Sequence, residues 1–134
     1  MSEFRLFCDG SVKHGTGYVG HVLFKNGVEI DRGWGMIGSG IKPKVAEKYA
    51  ICYGLDSFVR KMDEVCPLKV FGDAKQVIES AENDSEIRPK VQQIRGCGVQ
   101  VSFKWIPRDQ NTLANDLARK MIEYFRIAGT GNRE

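Results

Sequence analysis

Three carboxylates stand in short segments that place each of them where a strand ends or a helix begins. The segments are Cys8-Asp9-Gly10-Ser11, Val45-Ala46-Glu47-Lys48-Tyr49 and Val70-Phe71-Gly72-Asp73. Because apolar or small residues flank each acid, we expect folding to bring Asp9, Glu47 and Asp73 into one protected place. Acids held close together repel one another, and divalent cations relieve that repulsion. The pattern therefore predicts a Mg²⁺ or Mn²⁺ site suited to phosphoryl-transfer chemistry.

The patterns around these acids predict an α/β fold. Alternation and turn signals predict three strands over residues 4–9, 16–25 and 28–37, with a turn at Asp9-Gly10-Ser11 and a hairpin turn at Asn26-Gly27. The elements predicted after them are a helix over 44–62, a strand over 68–71, helices over 74–81 and 87–95, a strand over 99–105 and a helix from Asn111 or Thr112 to about Ile127. This order predicts a five-stranded mixed sheet, with three antiparallel meander strands, two parallel strands and helices on both faces.

The size and composition predict a single globular domain. The chain has 134 residues, of which 42% are hydrophobic and 28% charged, as is usual for a protein with one core. We expect residues 1–128 to form this domain and 129–134 a flexible tail. The sequence contains no stretch apolar enough for a membrane span and no apolar secretion segment at its start.

The four cysteines predict a reducing environment. Their spacing does not match a metal site, and Cys8 and Cys52 lie within apolar runs, so we expect buried reduced thiols and a cytoplasmic protein. A disulfide is the alternative that the sequence leaves open.

The net charge of +3 is small, and its distribution is more informative. Lys42, Lys44 and Lys48 bracket Glu47. A second group of cations lies in the last third, at Lys104, Arg108, Arg119 and Lys120. Cations beside clustered acids predict that a polyanion binds across the site, although a solvated face explains any single lysine equally well.

Four segments, in this order, resemble the motifs of the type 1 ribonucleases H. They are Phe7-Cys8-Asp9-Gly10-Ser11, Ala46-Glu47-Lys48-Tyr49-Ala50 followed by Gly54-Leu55, Val70-Phe71-Gly72-Asp73, and Trp105-Ile106-Pro107-Arg108-Asp109-Gln110-Asn111 followed by Leu117-Ala118. Each segment alone is a weak signal, whereas four in order at compatible spacing are specific. The chain resembles a short form of the family, without a hybrid-binding domain or a basic handle.

The resemblance implies the ribonuclease H-like fold and an endoribonuclease that cuts the RNA strand of RNA–DNA hybrids, leaving a 5′-phosphate. Family members hold two divalent ions with four carboxylates, of which Asp9, Glu47 and Asp73 match three. The resemblance implies that Asp9 bridges both ions and that Glu47 and Asp73 each help to hold one. No membrane and no obligatory protein partner is implied.

The fourth position departs from the family, because Asn115 stands where the acid is expected. At about 100° per residue, Asn115 falls near the edge of the buried face of the last helix, while Asp116 falls on the solvent side. That buried face is expected to comprise Ala114, Leu117, Ala118, Met121 and Phe125. An amide oxygen can bind a cation without adding charge, so one ion should bind more weakly. The chain is a naturally weak enzyme, carries a deliberate Asp-to-Asn replacement, or recruits Asp116 through a register shift.

Five residues are candidates for contacts with the substrate. The backbone of Gly10 and Ser11 is expected to approach the RNA strand closely, with 2′-hydroxyl contacts in the minor groove. Lys44 is expected to contact phosphate, and Arg108 to replace electrostatically a histidine that many relatives carry. The resemblance also implies a substrate contact for Asn111. We expect Trp34 and Trp105 to be aromatic residues of the core or sheet face.

Two other functions are compatible with the same residues. The first is a catalytically weak or inactive module that binds hybrid or double-stranded RNA. The second is a nuclease of the same superfamily that acts on DNA or on structured RNA junctions. A purely structural role is disfavoured, because converging acids would cost stability without return.

Overall fold

Five strands form one mixed sheet in the computed structural model, which describes residues 2–118. The strands are β1 (Phe4–Lys13), β2 (Thr16–Lys25), β3 (Val28–Ser39), β4 (Leu68–Gly72) and β5 (Val101–Trp105). Their order across the sheet is β3-β2-β1-β4-β5. The first three strands are antiparallel to one another, whereas β4 runs parallel to β1 and β5 parallel to β4. This arrangement confirms the predicted fold class.

The first strand is longer than predicted, and this changes the setting of Asp9. β1 continues to Lys13, and Asp9, Gly10 and Ser11 pair with three residues of β2. The predicted turn at Asp-Gly-Ser is therefore wrong, because the ladder with β2 continues through it. The chain reverses instead at His14 and Gly15, both of which have positive φ. The predicted hairpin turn at Asn26-Gly27 is present, also with positive φ at both positions.

The helices follow the predicted order with small changes at their ends. They are α1 (Pro43–Lys61), α2 (Lys75–Ser80), α3 (Ile87–Gly96) and α4, which is described over residues 112–118. Short 3-10 turns occupy Ala81–Asn83 and Arg108–Gln110. β5 begins two residues later than predicted. The predicted helix end at Ile127, the tail 129–134, the cations Arg119 and Lys120, and the apolar positions Met121 and Phe125 lie outside the described residues.

Two helices pack closely on opposite faces of the sheet because small residues let them approach. On one face, a side chain at Gly54 of α1 would meet Leu6 Cδ2 at 2.9 Å, and Ala46 and Ala50 are fully buried. On the other face, a Cβ at Gly20 of β2 would lie 2.6 Å from the carbonyl oxygen of Ala114. Since adjacent strand residues face opposite ways, β2 contacts α1 on one face of the sheet and α4 on the other.

The buried core lies mainly between α1, α3 and the sheet. The four cysteines are free thiols, three of them buried. The helices described over residues 2–118 include none with the length and apolar character that a bilayer span requires.

Candidate active site

Three carboxylates from distant parts of the sequence meet at one edge of the sheet. Asp9 lies in β1, Glu47 early in α1 and Asp73 directly after β4. One potential ligand atom from each lies within 4.8 Å of those of the other two. Asp9 is only 4% exposed, and the other two side chains are half-buried. The structure thus brings together the three acids that the sequence singles out.

A close contact between Gly10 and α1 positions Glu47. A Cβ at Gly10 would lie 2.2 Å from the carbonyl carbon of Ala46 and 2.4 Å from the nitrogen of Glu47, so the backbones nearly touch. The Gly10 N–H also donates a hydrogen bond to the Glu47 carboxylate. Glycine is therefore required here for packing between strand and helix.

Asn111 holds the neighbouring strands at the point where they separate. β1 and β4 pair as far as Phe7 and Phe71. Beyond that point, Asn111 Nδ2 donates to the Cys8 carbonyl oxygen at 2.8 Å and to Asp73 Oδ2 at 3.1 Å. Asn111 is 1% exposed, and we assign it a positioning role on the basis of these hydrogen bonds. The predicted contact with the substrate stays a prediction. Asn111 Oδ1 has no hydrogen-bond partner among the described residues, and the side chain does not cap α4.

Trp105 supports Asp73 from the other side. Its indole Nε1–H donates to the Asp73 carbonyl oxygen at 3.0 Å, and Lys75 Nζ lies 5.9 Å from the ring centroid. Trp105 is 42% exposed, so it is not a core residue. Asp73 does not cap α2, whose N-cap is Ala74 without a side-chain hydrogen bond. Its carboxylate is therefore available to the cluster.

The cluster is strained electrostatically. Burial, followed by the charge of Asp73, raises the pKa of Asp9 to about 7, with a hydrogen bond to Glu47 and the charge of Arg108 acting in the opposite direction. Burial, followed by the charges of Asp9 and Asp73, raises the pKa of Glu47 to about 9. The charge of Asp73 thus disfavours the ionised forms of both Asp9 and Glu47, as expected where a cation has its place.

Asn115 lies in α4 beside this cluster, as the helical phase predicts. It is 8% exposed, whereas Asp116 is exposed. Its Nδ2 donates to the Arg108 carbonyl oxygen at 3.1 Å, and its Oδ1 is buried without a hydrogen-bond partner in the described part of the chain. Since α4 touches Gly20, the cross-strand partner of Asp9, this helix packs next to the first carboxylate.

The donors present suit a hard divalent cation. Three clustered carboxylates and an unpaired amide oxygen are the oxygen ligands that Mg²⁺ and Mn²⁺ prefer. Such an ion would relieve the repulsion between the buried acids and would give Asn115 Oδ1 the partner that it lacks among residues 2–118.

Two cations flank the acids without neutralising them. Lys44 and Arg108 are exposed and form no ion pair with any residue between 2 and 118, whereas Lys48 contacts Glu86 at 2.8 Å. Arg108 is near enough to lower the pKa of Asp9. Gly10 and Ser11 are half-buried beside the cluster.

Comparison with known proteins agrees with this architecture. Residues 7–121 match the reverse transcriptase-like protein family. No curated protein matches the chain.

Several solved structures share the fold at low sequence identity. RNase H1 from the halophilic archaeon Halobacterium salinarum is 23% identical, with a TM-score of 0.73 over 90% of this chain and 98% of that one. The N-terminal RNase H domain of a Mycobacterium tuberculosis protein is 20% identical, with a TM-score of 0.77 over 96% and 99%. LC11-RNase H1, solved in complex with an RNA/DNA hybrid, is 19% identical, with a TM-score of 0.69 over 87% and 94%.

The family match and the shared fold confirm the predicted resemblance to the type 1 ribonucleases H. The chain belongs to the reverse transcriptase-like family, and its five-stranded sheet has the ribonuclease H fold.

Proposed function

We propose that this protein is an endoribonuclease that cleaves the RNA strand of RNA–DNA hybrids by divalent-metal-dependent phosphodiester hydrolysis. The observation that carries the proposal is the cluster of Asp9, Glu47 and Asp73, whose ligand atoms lie within 4.8 Å of one another. The protein shares its fold with ribonucleases H. A hybrid bound to LC11-RNase H1 supports the choice of substrate.

In this proposal Asp9, Glu47, Asp73 and Asn115 hold two Mg²⁺ or Mn²⁺ ions. Such ions supply an activated water and stabilise the leaving oxygen of an in-line displacement. Asn111 and Trp105 keep Asp73 in place through hydrogen bonds to its carboxylate and carbonyl oxygens. Lys44 and Arg108 attract the phosphates of the hybrid, and the backbone of Gly10 and Ser11 approaches the RNA strand.

The neutral side chain of Asn115 attenuates the reaction in this proposal. Three negative charges in place of four hold two divalent ions less tightly. The same observation favours the alternative function, a binding module whose metal occupancy is too low for turnover. Nucleases that act on DNA or on RNA junctions share this superfamily fold, so these nucleic acids are alternative substrates.

A cleavage assay on end-labelled duplexes distinguishes these functions. We expect the RNA strand of a hybrid to be cut and to leave a product with a 5′-phosphate. Cutting should be faster in saturating Mn²⁺ or Mg²⁺ than at limiting metal. The Asp9→Asn variant should not cut. Double-stranded RNA, double-stranded DNA and a junction serve as competing substrates. Binding of hybrid without cutting in either metal identifies the module, and preferential cutting of another duplex contradicts the hybrid assignment.

We also propose that the protein works in the cytoplasm as a single domain over residues 1–128, with a short tail over 129–134 and no obligatory protein partner. The four free thiols support a reducing compartment.

A further inference from the structure

The sheet has an edge strand on each side among residues 2–118, and β5 is the better protected of the two. It is five residues long and carries the exposed Lys104. Leu68 N–H donates to the Gln100 carbonyl oxygen, so the backbone of the next residue, Val101, faces the open side. There its carbonyl oxygen accepts a hydrogen bond from Arg95 Nη2 at 2.8 Å. A short strand, a lysine and a covering side chain all hinder pairing with another strand.

The other edge strand, β3, lacks these protections in its second half. The strand has 12 residues, and residues 33–39 include no charged residue and no proline. Trp34 and Met36 are 41% and 49% exposed. They are two residues apart on a regular stretch of the ladder, so both side chains lie on one face of the sheet. A long, apolar and uncharged edge is a surface to which a further strand adds.

The backbone of this stretch is turned toward the open side. Asn26 N–H donates to the Glu3 carbonyl oxygen at 3.0 Å, so the odd-numbered residues of β1 bond to β2. Carried across the two ladders, this alternation makes Gly35 bond to β2. The N–H and C=O groups of its neighbours, Trp34 and Met36, therefore point away from β2. Trp34 has other contacts in the chain, and a second strand would cover the part of it that is exposed.

The α1 side of the same stretch leaves room for another chain. Among the described residues, a Cβ at Gly35 would meet only Cγ2 of Val19, at 3.9 Å. A groove of about 400 Å³ lies there between β3 and α1, with Tyr53 and Arg60 on its helix side. No side chain of α1 therefore lies over the strand at Gly35.

We propose that two copies of this chain pair through β3, antiparallel, with the two-fold axis at Gly35. In this register Trp34 lies opposite the partner's Met36, and their outward N–H and C=O groups exchange two hydrogen bonds. The symmetric pair exchanges two more. The exposed part of the indole covers the thioether, a contact that sulfur and an aromatic ring favour. Glycine at the axis places no side chain between the two strands.

A second copy fits this edge because the edge is complementary to itself in both shape and charge. The contact is isologous, with the same residues on both sides. Arg32 comes opposite the partner's Gly38, and Asp31 comes opposite the partner's Ser39, so no like charges face each other. An axis at Arg32 would instead bring two guanidinium groups together.

The area involved predicts a weak dimer. Covering the exposed parts of Trp34 and Met36 in both copies buries roughly 400 Å² of side-chain surface. A bulge beyond Met36 limits the regular pairing to the centre of the strand. The interface therefore stays below the about 1,200 Å² that separates weak from stable complexes, and we expect a dissociation constant of about 10–100 μM.

Amide hydrogen exchange of the intact chain, measured by NMR between about 10 μM and about 1 mM, tests the proposal. We expect the amides of Trp34 and Met36 to exchange more slowly as the concentration rises, and sedimentation equilibrium to give the mass of two chains at the upper end. Equal protection at every concentration would mean that another segment of the same chain pairs with β3, which overturns the proposal. Fast exchange with a monomeric mass throughout overturns it as well.

Two matched variants of β3 test the surface. Met36→Glu places a carboxylate against the partner's Trp34, so the dissociation constant should rise by at least about tenfold. Val28→Glu makes the same change at a residue that is 64% exposed and outside the paired stretch, and it should dimerise as the parent does. Dimerisation of Met36→Glu with the affinity of the parent would overturn the proposal.

Gly35→Cys tests the register. At an antiparallel position between bonded pairs, the two Cα atoms lie about 4.5 Å apart, within the range of about 4.4–6.8 Å that a disulfide spans. Both cysteine variants are made with Cys97→Ser, which removes the exposed native thiol. In a glutathione redox buffer Gly35→Cys should form a covalent dimer and Val28→Cys should not. Absence of the Gly35→Cys dimer, or equal yields for the two variants, would overturn the proposal.

The dimer and the proposed hydrolase can be tested separately. The paired stretch of β3 contains none of Asp9, Glu47, Asp73 and Asn115, so Met36→Glu should cleave hybrid as the parent does. A monomeric chain would leave the proposed hydrolase unaffected, and absence of cleavage would leave the proposed dimer unaffected.

Discussion

Asn111 donates a hydrogen bond from Nδ2 to Oδ2 of Asp73 over 3.1 Å, joining residues 38 positions apart in sequence. The same nitrogen also donates to the carbonyl oxygen of Cys8, the residue before Asp9. One buried amide thus connects β1 and β4 beyond their last paired residues and orients one acid of the cluster.

Asn111→Ala should therefore destabilise the protein and weaken metal binding. The buried Cys8 carbonyl loses its partner, which costs about 1–3 kcal/mol in the free energy of unfolding. Asn111→Asp should cost more, because it adds a fourth buried carboxylate beside Asp73. Urea denaturation and calorimetric titration with Mn²⁺ measure both effects, with the exposed Asn83→Ala as control. Equal unfolding curves for Asn111→Ala and Asn83→Ala would contradict the positioning role.

Asp9→Asn should stabilise the metal-free protein while abolishing its response to metal. Removing one of three desolvated carboxylates relieves repulsion, so we expect the melting temperature in EDTA to rise by about 4 °C, or about 1 kcal/mol. Mg²⁺ or Mn²⁺ should raise the melting temperature of the parent and leave that of Asp9→Asn unchanged. Asp109→Asn, on the exposed turn before α4, is the matched control. A lower melting temperature for Asp9→Asn in EDTA would show that the cluster is not repulsive.

Asn115→Asp should lower the stability of the metal-free protein and raise its affinity for metal. A carboxylate cannot donate to the Arg108 carbonyl oxygen, a bond that Asn115 makes at 3.1 Å, so the free energy of unfolding in EDTA should fall by about 1 kcal/mol. The added charge should raise hybrid cleavage at limiting Mg²⁺. A Mg²⁺ titration of the rate checks this, with the exposed Asp116→Asn expected to match the parent. Equal rates for Asn115→Asp and the parent at every Mg²⁺ concentration would show that position 115 is not a ligand.

Gly10→Ala should disrupt the packing of α1 on β1. The new methyl would lie 2.2–2.4 Å from backbone atoms of Ala46 and Glu47, which cannot move without shifting the helix, so we expect a loss of about 3 kcal/mol or failure to fold. Gly96→Ala, where no atom lies within 4 Å, should be neutral or slightly stabilising. The melting temperatures of the two variants make the comparison. Equal melting temperatures would mean that the backbones of β1 and α1 do not approach each other closely at Gly10.

His21 should make the protein sensitive to mild acid. Burial lowers the pKa of the folded imidazole, so the unfolded chain binds the proton more readily. The contribution to stability is complete above the unfolded pKa near 6.5 and is lost as the pH falls below it toward the folded pKa. The loss is at most about 1.4 kcal/mol per pH unit.

The measurement is the free energy of unfolding of the parent minus that of His21→Phe at each pH. Taking this difference cancels the opposing effect of the raised pKa values of Asp9 and Glu47. This difference, parent minus variant, should fall between neutral and mildly acidic pH. A difference that is constant with pH would contradict the lowered pKa.

The candidate acids were predictable because their local patterns are simple. Asp9 and Asp73 follow apolar strand segments, and Glu47 begins a helix whose small residues face the sheet. Helical phase also separated buried Asn115 from exposed Asp116. The turn predicted at Asp9-Gly10-Ser11 is absent, because pairing with β2 carries the strand on to Lys13, and pairing is a tertiary property.

Periodicity and residue type are local quantities, so they were enough to predict the order of helices and strands and the three clustered acids. The neutral fourth position came from the resemblance to the type 1 ribonucleases H. How these groups meet depends on the folded chain. The Asn111 amide, which reads as a helix cap, instead joins Cys8 and Asp73, and Trp105 supports Asp73 from an exposed position. The position of His21 against Gly33, where its ring nitrogens have no partner among residues 2–118, likewise depends on strand register, because hydrogen-bond partners arise between segments that are distant along the chain.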